Sequence, residues 1–197
     1  MYIIIFVSVF ALMAVIIGLA YTLGFPHIES PEKRAGRLGE RYARNIIQEI
    51  LEEDDILLSN VQITADEKFT ELDNVIINSN GVFIIEVKNY SGELFGEEED
   101  QEWIKNTISG AGNVYQKVVK NPIKQVKRQI YILSRLLKEN DIDVWIEGYV
   151  FFVEMNSPVV SSYVLRTQKD IDNAIHHGIN NDLSYIAQEQ LEQLLTN

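Results

Sequence analysis

Three side chains pose the chemical question: Asp73 in TELDNVII, and Glu86 and Lys88 in GVFIIEVKNY. Val82 to Ile85 and Val87 are apolar, as in a strand buried on both faces. Side chains alternate across a strand, so Glu86 and Lys88 share one face with Ile84. An unpaired buried charge costs on the order of several kcal/mol. Either the two neutralise each other, or they face a site that holds something else. The turn NSNG at 78–81 brings the preceding strand alongside, so Asp73 is expected to approach Glu86. Two converging carboxylates beside a lysine are oxygen donors suited to a hard divalent cation, Mg²⁺ or Mn²⁺. The backbone carbonyl of Val87 is a further candidate oxygen. Such an ion lowers the pKa of its water and offsets charge on a phosphoryl oxygen. Lys88 would then orient the attacking water or steady the transition-state charge. The competing reading is a structural Glu86–Lys88 pair at a strand end, and the spacing leaves both open.

Positioning those residues takes a sheet with helices on its faces. Residues 31–52 read as a helix, with Leu38, Tyr42, Ile46, Ile47 and Ile50 at helical spacing. Strands are predicted over 56–63, 69–77 and 82–88, with short ones over 92–96 and 102–105 and a loop over 106–113. Asn121 is a good N-cap and Pro122 suits the first helical position. From there Ile123, Val126, Ile130, Leu133 and Leu137 form an apolar stripe to about Asn140. A long strand over 144–153, a short one over 163–166 and helices over 169–177 and 184–195 complete the chain. The order helix, three strands, helix, strand makes an α/β fold with a mixed sheet.

The net charge of -12 argues against nonspecific nucleic-acid binding by the chain as a whole. Its distribution changes that reading. Trp103 to Lys138 holds eight Lys or Arg and no acid. Lys117, Lys120, Lys124, Lys127 and Arg128 recur every three or four residues. If the helix extended back to Lys117 they would form one basic stripe, able to track a phosphate backbone. An ordinary solvated face is the alternative. Glu97, Glu98, Glu99, Asp100 and Glu102 read as a solvated acidic loop. With no cysteine, disulfides and thiolate metal sites are excluded. His27, His176 and His177 have no evident partners. No phosphate-cradling glycine loop, serine nucleophile elbow or zincin helix is present.

No Asp, Glu, Lys or Arg precedes Glu29, and 2–25 is a mostly apolar run. A bilayer-spanning helix needs about 20 such residues. The run is longer than a secretory leader's core and lacks a basic start, which favours an anchor over a signal peptide. Lys33, Arg34, Arg37, Arg41 and Arg44 follow it, so the expectation is a single-pass cell-membrane protein, N-terminus outside, domain cytoplasmic. The expected division is a transmembrane anchor at 1–25, a juxtamembrane linker at 26–35, the core domain at 36–153 and a mostly helical extension at 154–197.

Four ordered pieces resemble the nuclease-related domain (NERD) family of the PD-(D/E)xK phosphodiesterase superfamily: GRLGE at 36–40, TELDNVII at 70–77, GVFIIEVKNYSGEL at 81–94 and NPIKQ at 121–125. The resemblance implies a restriction-endonuclease-like fold and divalent-metal phosphodiester hydrolysis on DNA or RNA. It implies metal ligation by Asp73 and Glu86, a catalytic Lys88, an additional acid at Glu40 and a site contact from Gln125. The position after the aspartate, often histidine in the family, is Asn74. The alternative is a module at the membrane face that binds nucleic acid or a protein partner without cutting.

Overall fold

The computed structural model describes residues 12–15, 18, 29–178 and 182–196. Two compact units divide the chain, one up to Arg34 and one from Ala35 onward. In the first, residues 12–15 and 18 are helical. Among the described residues no helix is long and apolar enough to cross a membrane. The transmembrane anchor expected over 1–25 is corrected accordingly, and with it the single-pass placement. Most of that span lies outside the described residues.

Helix α1 covers Pro31–Gln48, ending four residues earlier than its periodicity predicts. Strands β1 (Ile56–Ala65), β2 (Lys68–Asn78) and β3 (Gly81–Lys88) form an antiparallel meander. Its first turn uses Asp66 and Glu67, both at positive φ, the conformation of a tight two-residue hairpin. After β3 the chain forms a small antiparallel sheet of β4 (Glu93–Phe95), β5 (Glu102–Ile108) and β6 (Val114–Lys120). Helix α2 (Pro122–Glu139) then crosses over to β7 (Ile146–Phe152), which lies parallel to β3. The short β8 (Val164–Leu165), α3 (Gln168–His176) and α4 (Tyr185–Thr196) follow. The main sheet has the order β1-β2-β3-β7-β8.

Two cores flank this sheet. Val82, Ile84 and Val150 pack with Ile123, Val126 and Leu133 of α2 and with Leu191 of α4. Phe83, Ile85 and Phe151 pack with Ala43 and Ile47 of α1 and with Ile171 and Ile175 of α3. Trp103 of β5 stacks on Phe152 of β7, centroids 6.1 Å apart, and fixes the small sheet to the large one.

The helix start at Asn121 forms as predicted. Its side chain accepts the N–H of Ile123 at 2.9 Å and donates to the carbonyls of Glu98 and Asp100. Two expectations are corrected nearby. The loop predicted over 106–113 shortens to 109–113, because β5 continues to Ile108 before the chain turns into β6. Lys117 and Lys120 therefore lie on a strand and not on a backward extension of α2. Val114, Tyr115, Val118 and Val119 favour a strand, while the lysine spacing across the strand–helix junction imitates a helical period.

His176 does have partners. Its Nδ1 lies 2.7 Å from Asp172 and its Nε2 2.8 Å from Asp55, joining the end of α3 to the loop before β1. Burial pulls the imidazole pKa down, but the two carboxylates outweigh it and the pKa is raised above 6.5. The stabilisation from this clamp is complete below the unfolded-state pKa and fades as pH rises through the higher folded value. His176→Gln is expected to lower stability by about 2 kcal/mol at pH 5.5. The deficit should shrink toward pH 8.5. Thermal melts of both proteins across that range check it; a deficit that does not change with pH refutes the charged clamp.

Candidate functional site

The opening question has a direct structural answer. Glu86 is 2% exposed and faces α2. Its Oε1 pairs with Lys88, and its Oε2 accepts from Gln129 Nε2 at 2.6 Å. Gln129 itself is fully buried and also donates to the carbonyl of Glu71 at 3.0 Å. Both carboxylate oxygens of Glu86 thus have a donor. Each retains a lone pair for a further contact.

Asp73 arrives by a different route. The β2–β3 ladder ends at Asn74 opposite Ile85, and the register places Asp73 opposite Glu86 at the next step. The pairing stops there. The Asp73 carboxylate takes the N–H of Val87 at 2.8 Å instead. The two strands separate at this point, and Asp73 and Glu86 stand at the fork. Burial, then the charge of Glu86, push the Asp73 pKa up to about 7; the Val87 hydrogen bond and Lys88 only partly offset them. Glu40 adds a smaller repulsion, which places α1 in the same field.

Gly39 explains how α1 comes so near. A Cβ there would lie 2.5 Å from Cβ of Asn89, and Asn89 Nδ2 donates to the carbonyl of Ala35 at 2.8 Å. The bare glycine lets the helix pack against the segment that follows β3, one residue from Glu40.

For Lys88, burial lowers the pKa, but Glu86, Tyr90 and Asp73 overcome it and the net shift is upward. The ammonium stays charged beside two carboxyl groups. Around this point the fold gathers Asp73, Glu86, Lys88 and Gln129, with Glu40 in electrostatic range. Among the described residues no group of three or more His, Asp or Glu is arranged to hold a metal ion. The two carboxylates that act on each other at the fork are Asp73 and Glu86.

Gln129 was not singled out by sequence, yet it carries a signal. It stands three residues after Val126 and four before Leu133, where the helical stripe calls for an apolar side chain. Gln125 lies one turn earlier and lines a different cavity. That groove has a volume of ≈ 700 Å³, and Thr70, Gln101, Lys120, Lys124 and Arg128 also line it.

The basic residues separate into three places. Lys120, Lys124 and Arg128 reach the groove. Lys127 pairs with Glu98 at 3.1 Å, with its ammonium 4.4 Å from the Tyr163 ring centroid. Lys117 sits on β6, directly across from Lys105. Lys124 also pairs with Glu99. The acidic loop is solvated as expected, with most of its side chains exposed, but it is also tied to α2: Asn121 holds its carbonyls, while Glu98 and Glu99 meet two of the lysines.

Comparisons with known proteins agree with this picture at the level of the family. An uncharacterized protein of Bacillus anthracis is 26% identical over 108 residues, covering 54% of this chain and 49% of that protein. The chain thus spans about half the length of this curated relative. No solved structure gives a significant match. The nuclease-related domain matches residues 35–153, a stretch that holds α1 from its first turns, both sheets through β7, and every residue of the carboxylate fork. More than half of the chain lies within that match, and the chain belongs to the nuclease-related domain (NERD) family.

Proposed function

We propose that this chain is a metal-dependent phosphodiesterase acting on nucleic acid. One observation carries the reading: Asp73 and Glu86 meet at the strand fork, where burial first and the Glu86 charge second push the Asp73 pKa up to about 7. A strand pair held only for structure gains nothing from a second carboxylate there. An oxygen-seeking cation fits it, because the donors are hard carboxylate oxygens. Asp73 and Glu86 would hold Mg²⁺ or Mn²⁺, with the Val87 carbonyl as a further oxygen. When bound, such an ion supplies an acidified water and offsets phosphoryl charge.

The protein's own residues then have distinct tasks. Gln129 fixes Glu86 through Oε2 and leaves its Oε1 buried with no donor among the described residues. That oxygen is an acceptor available to a water at the fork. Lys88 is held charged against Glu86, from where its ammonium would steady the pentavalent phosphoryl oxygens or orient the attacking water. Glu40 adds negative potential from α1. Gln125, with Lys120, Lys124 and Arg128, offers donors for backbone phosphates along its own groove, which Glu102 also lines.

The test is the purified full-length chain with single- and double-stranded DNA and RNA in Mg²⁺ or Mn²⁺. Cleavage that EDTA abolishes is expected. Absence of cleavage with every substrate and both ions would sink the hydrolytic reading and leave binding without cutting.

A further inference from the structure

Alternation along the small sheet sends its side chains to two unlike faces. Trp103 of β5 and Leu94 of β4 point inward, where both are buried. The opposite face carries cross-strand rows. Phe95, Ile104 and Val118 form the first, Glu93, Asn106 and Gln116 the second, and Ile108 and Val114 the third. The apolar side chains of these rows are 39% to 71% exposed. One apolar residue alone on a surface is ordinary. A set of them in register on one sheet face is a patch. Glu102 and Lys120, cross-strand neighbours of opposite charge, close the face beyond the first row as a polar rim.

The register cannot relieve this exposure. A slip by one residue would bury the outer row and expel Trp103, whose ring stacks on Phe152 of the main sheet. The exposed surface of the apolar side chains is on the order of 500 Å². A stable protein–protein contact buries about 800 Å² per partner, roughly 60% of it apolar. The outer face thus supplies the apolar share of one such contact. Its middle row is polar but not self-sufficient. Gln116 Nε2 donates to Asn106 Oδ1 at 3.2 Å. That bond leaves Asn106 Nδ2 and the second Gln116 Nε2 hydrogen as donors, and Gln116 Oε1 as an acceptor. Glu93, exposed on the β4 flank of the same row, offers a carboxylate. The row is therefore acidic at one end and amide at the other.

We propose that the outer face of the small sheet is the contact surface of a two-fold homodimer, sheet packed on sheet. The inference is independent of the phosphodiesterase reading. A two-fold axis running along β5 lays each row on the same row of the second copy, with the strands nearly aligned, as packed sheets are. Phe95 then meets Val118 of the second copy, Ile104 meets its own equivalent, and so does Ile108. In the middle row the Glu93 carboxylate comes over the free Gln116 amide hydrogen, because the axis exchanges the β4 and β6 flanks. The amide pairs meet across the axis with donors and acceptors both available. A second copy is matched row by row in spacing and polarity, apolar on apolar and polar on polar, which is what an isologous contact requires.

The experiment is sedimentation equilibrium of the full-length chain over a concentration series, for wild type, Ile108→Asp and Val118→Asp. Wild type is expected to reach the mass of two chains and to melt at a temperature that rises with concentration. Each substitution enters a symmetric contact twice and should weaken the dimer at least about 100-fold. Both side chains are exposed in the single chain, so the variants should melt like dilute wild type, which separates lost association from lost folding. The chain has no cysteine, so Asn106→Cys places one thiol on the proposed axis. A short bis-maleimide should join two such chains and should not join Ser134→Cys chains, whose thiol stands on the exposed side of α2. A single-chain mass at every concentration overturns the dimer. Flotation with phosphatidylcholine vesicles that Ile108→Asp abolishes would then give the face to lipid. A two-chain mass unchanged in both aspartate variants also overturns the proposal, by placing the contact elsewhere, and equal linking at both cysteine positions does the same. None of these outcomes bears on cleavage, which the assay with Mg²⁺ or Mn²⁺ reads separately.

Discussion

Lys88→Met is expected to abolish cleavage and to destabilise the protein by about 3–5 kcal/mol. The two losses have separate origins. Glu86 is 2% exposed, and without Lys88 its charge has only the neutral Gln129 amide beside it. A buried charge stripped of its partner is far more costly than a buried neutral pair. The double variant Glu86→Gln, Lys88→Met should therefore recover most of the lost stability, since no charge remains unpaired at that position. Activity should not return, because the ammonium and one carboxylate are both gone; a loss of at least about 100-fold is expected in each single variant and in the double one. Denaturant titration beside a cleavage assay measures both quantities. Should Lys88→Met lose stability yet keep cutting, the ion pair is structural and the catalytic role of Lys88 is wrong.

Much of this centre was legible in the sequence because it depends on local rules. Strand alternation places Glu86 and Lys88 on one face, and the short turn at 78–81 folds Asp73 back toward them. Asn121 followed by Pro122 marks the start of α2, and the structure adds only that the same asparagine also holds the acidic loop. What escaped notice depends on distance along the chain or on a misleading period. The contact between Gln129 and Glu86 joins residues 43 apart. The one between His176 and Asp55 joins residues 121 apart. The lysines at 117, 120 and 124 mimic a helix while straddling a strand and a cap. The apolar run before Glu29 met the length rule for a span. Yet composition alone does not establish a spanning helix, and among the described residues none is present.

Asp73→Asn should make the ion-free protein more stable at pH 8 while removing its activity. Burial and the Glu86 charge push the Asp73 pKa up from 3.8 to about 7. The folded state therefore binds a proton that the unfolded state has already released between those two values. Stability then falls as pH rises from about 4 to about 7. Across the window the cost is on the order of 2–4 kcal/mol. Asparagine has no charge to repel Glu86, and its side-chain oxygen still accepts the Val87 N–H. The variant should thus show no such slope and melt above wild type at pH 8, with the two converging near pH 4. Mn²⁺ should reverse the order, because a cation at the fork is stabilised by the repulsion it relieves. Below pH 7 its binding must displace the Asp73 proton, so affinity should rise up to about tenfold per pH unit and then level off. Melting curves from pH 4 to 8, with and without Mn²⁺, together with calorimetry of Mn²⁺ binding, decide the matter. Parallel curves for wild type and Asp73→Asn, or equal Mn²⁺ affinity in both, would mean that the fork does not hold a cation. A carboxylate placed where it weakens the empty fold would then have no function to offset its cost.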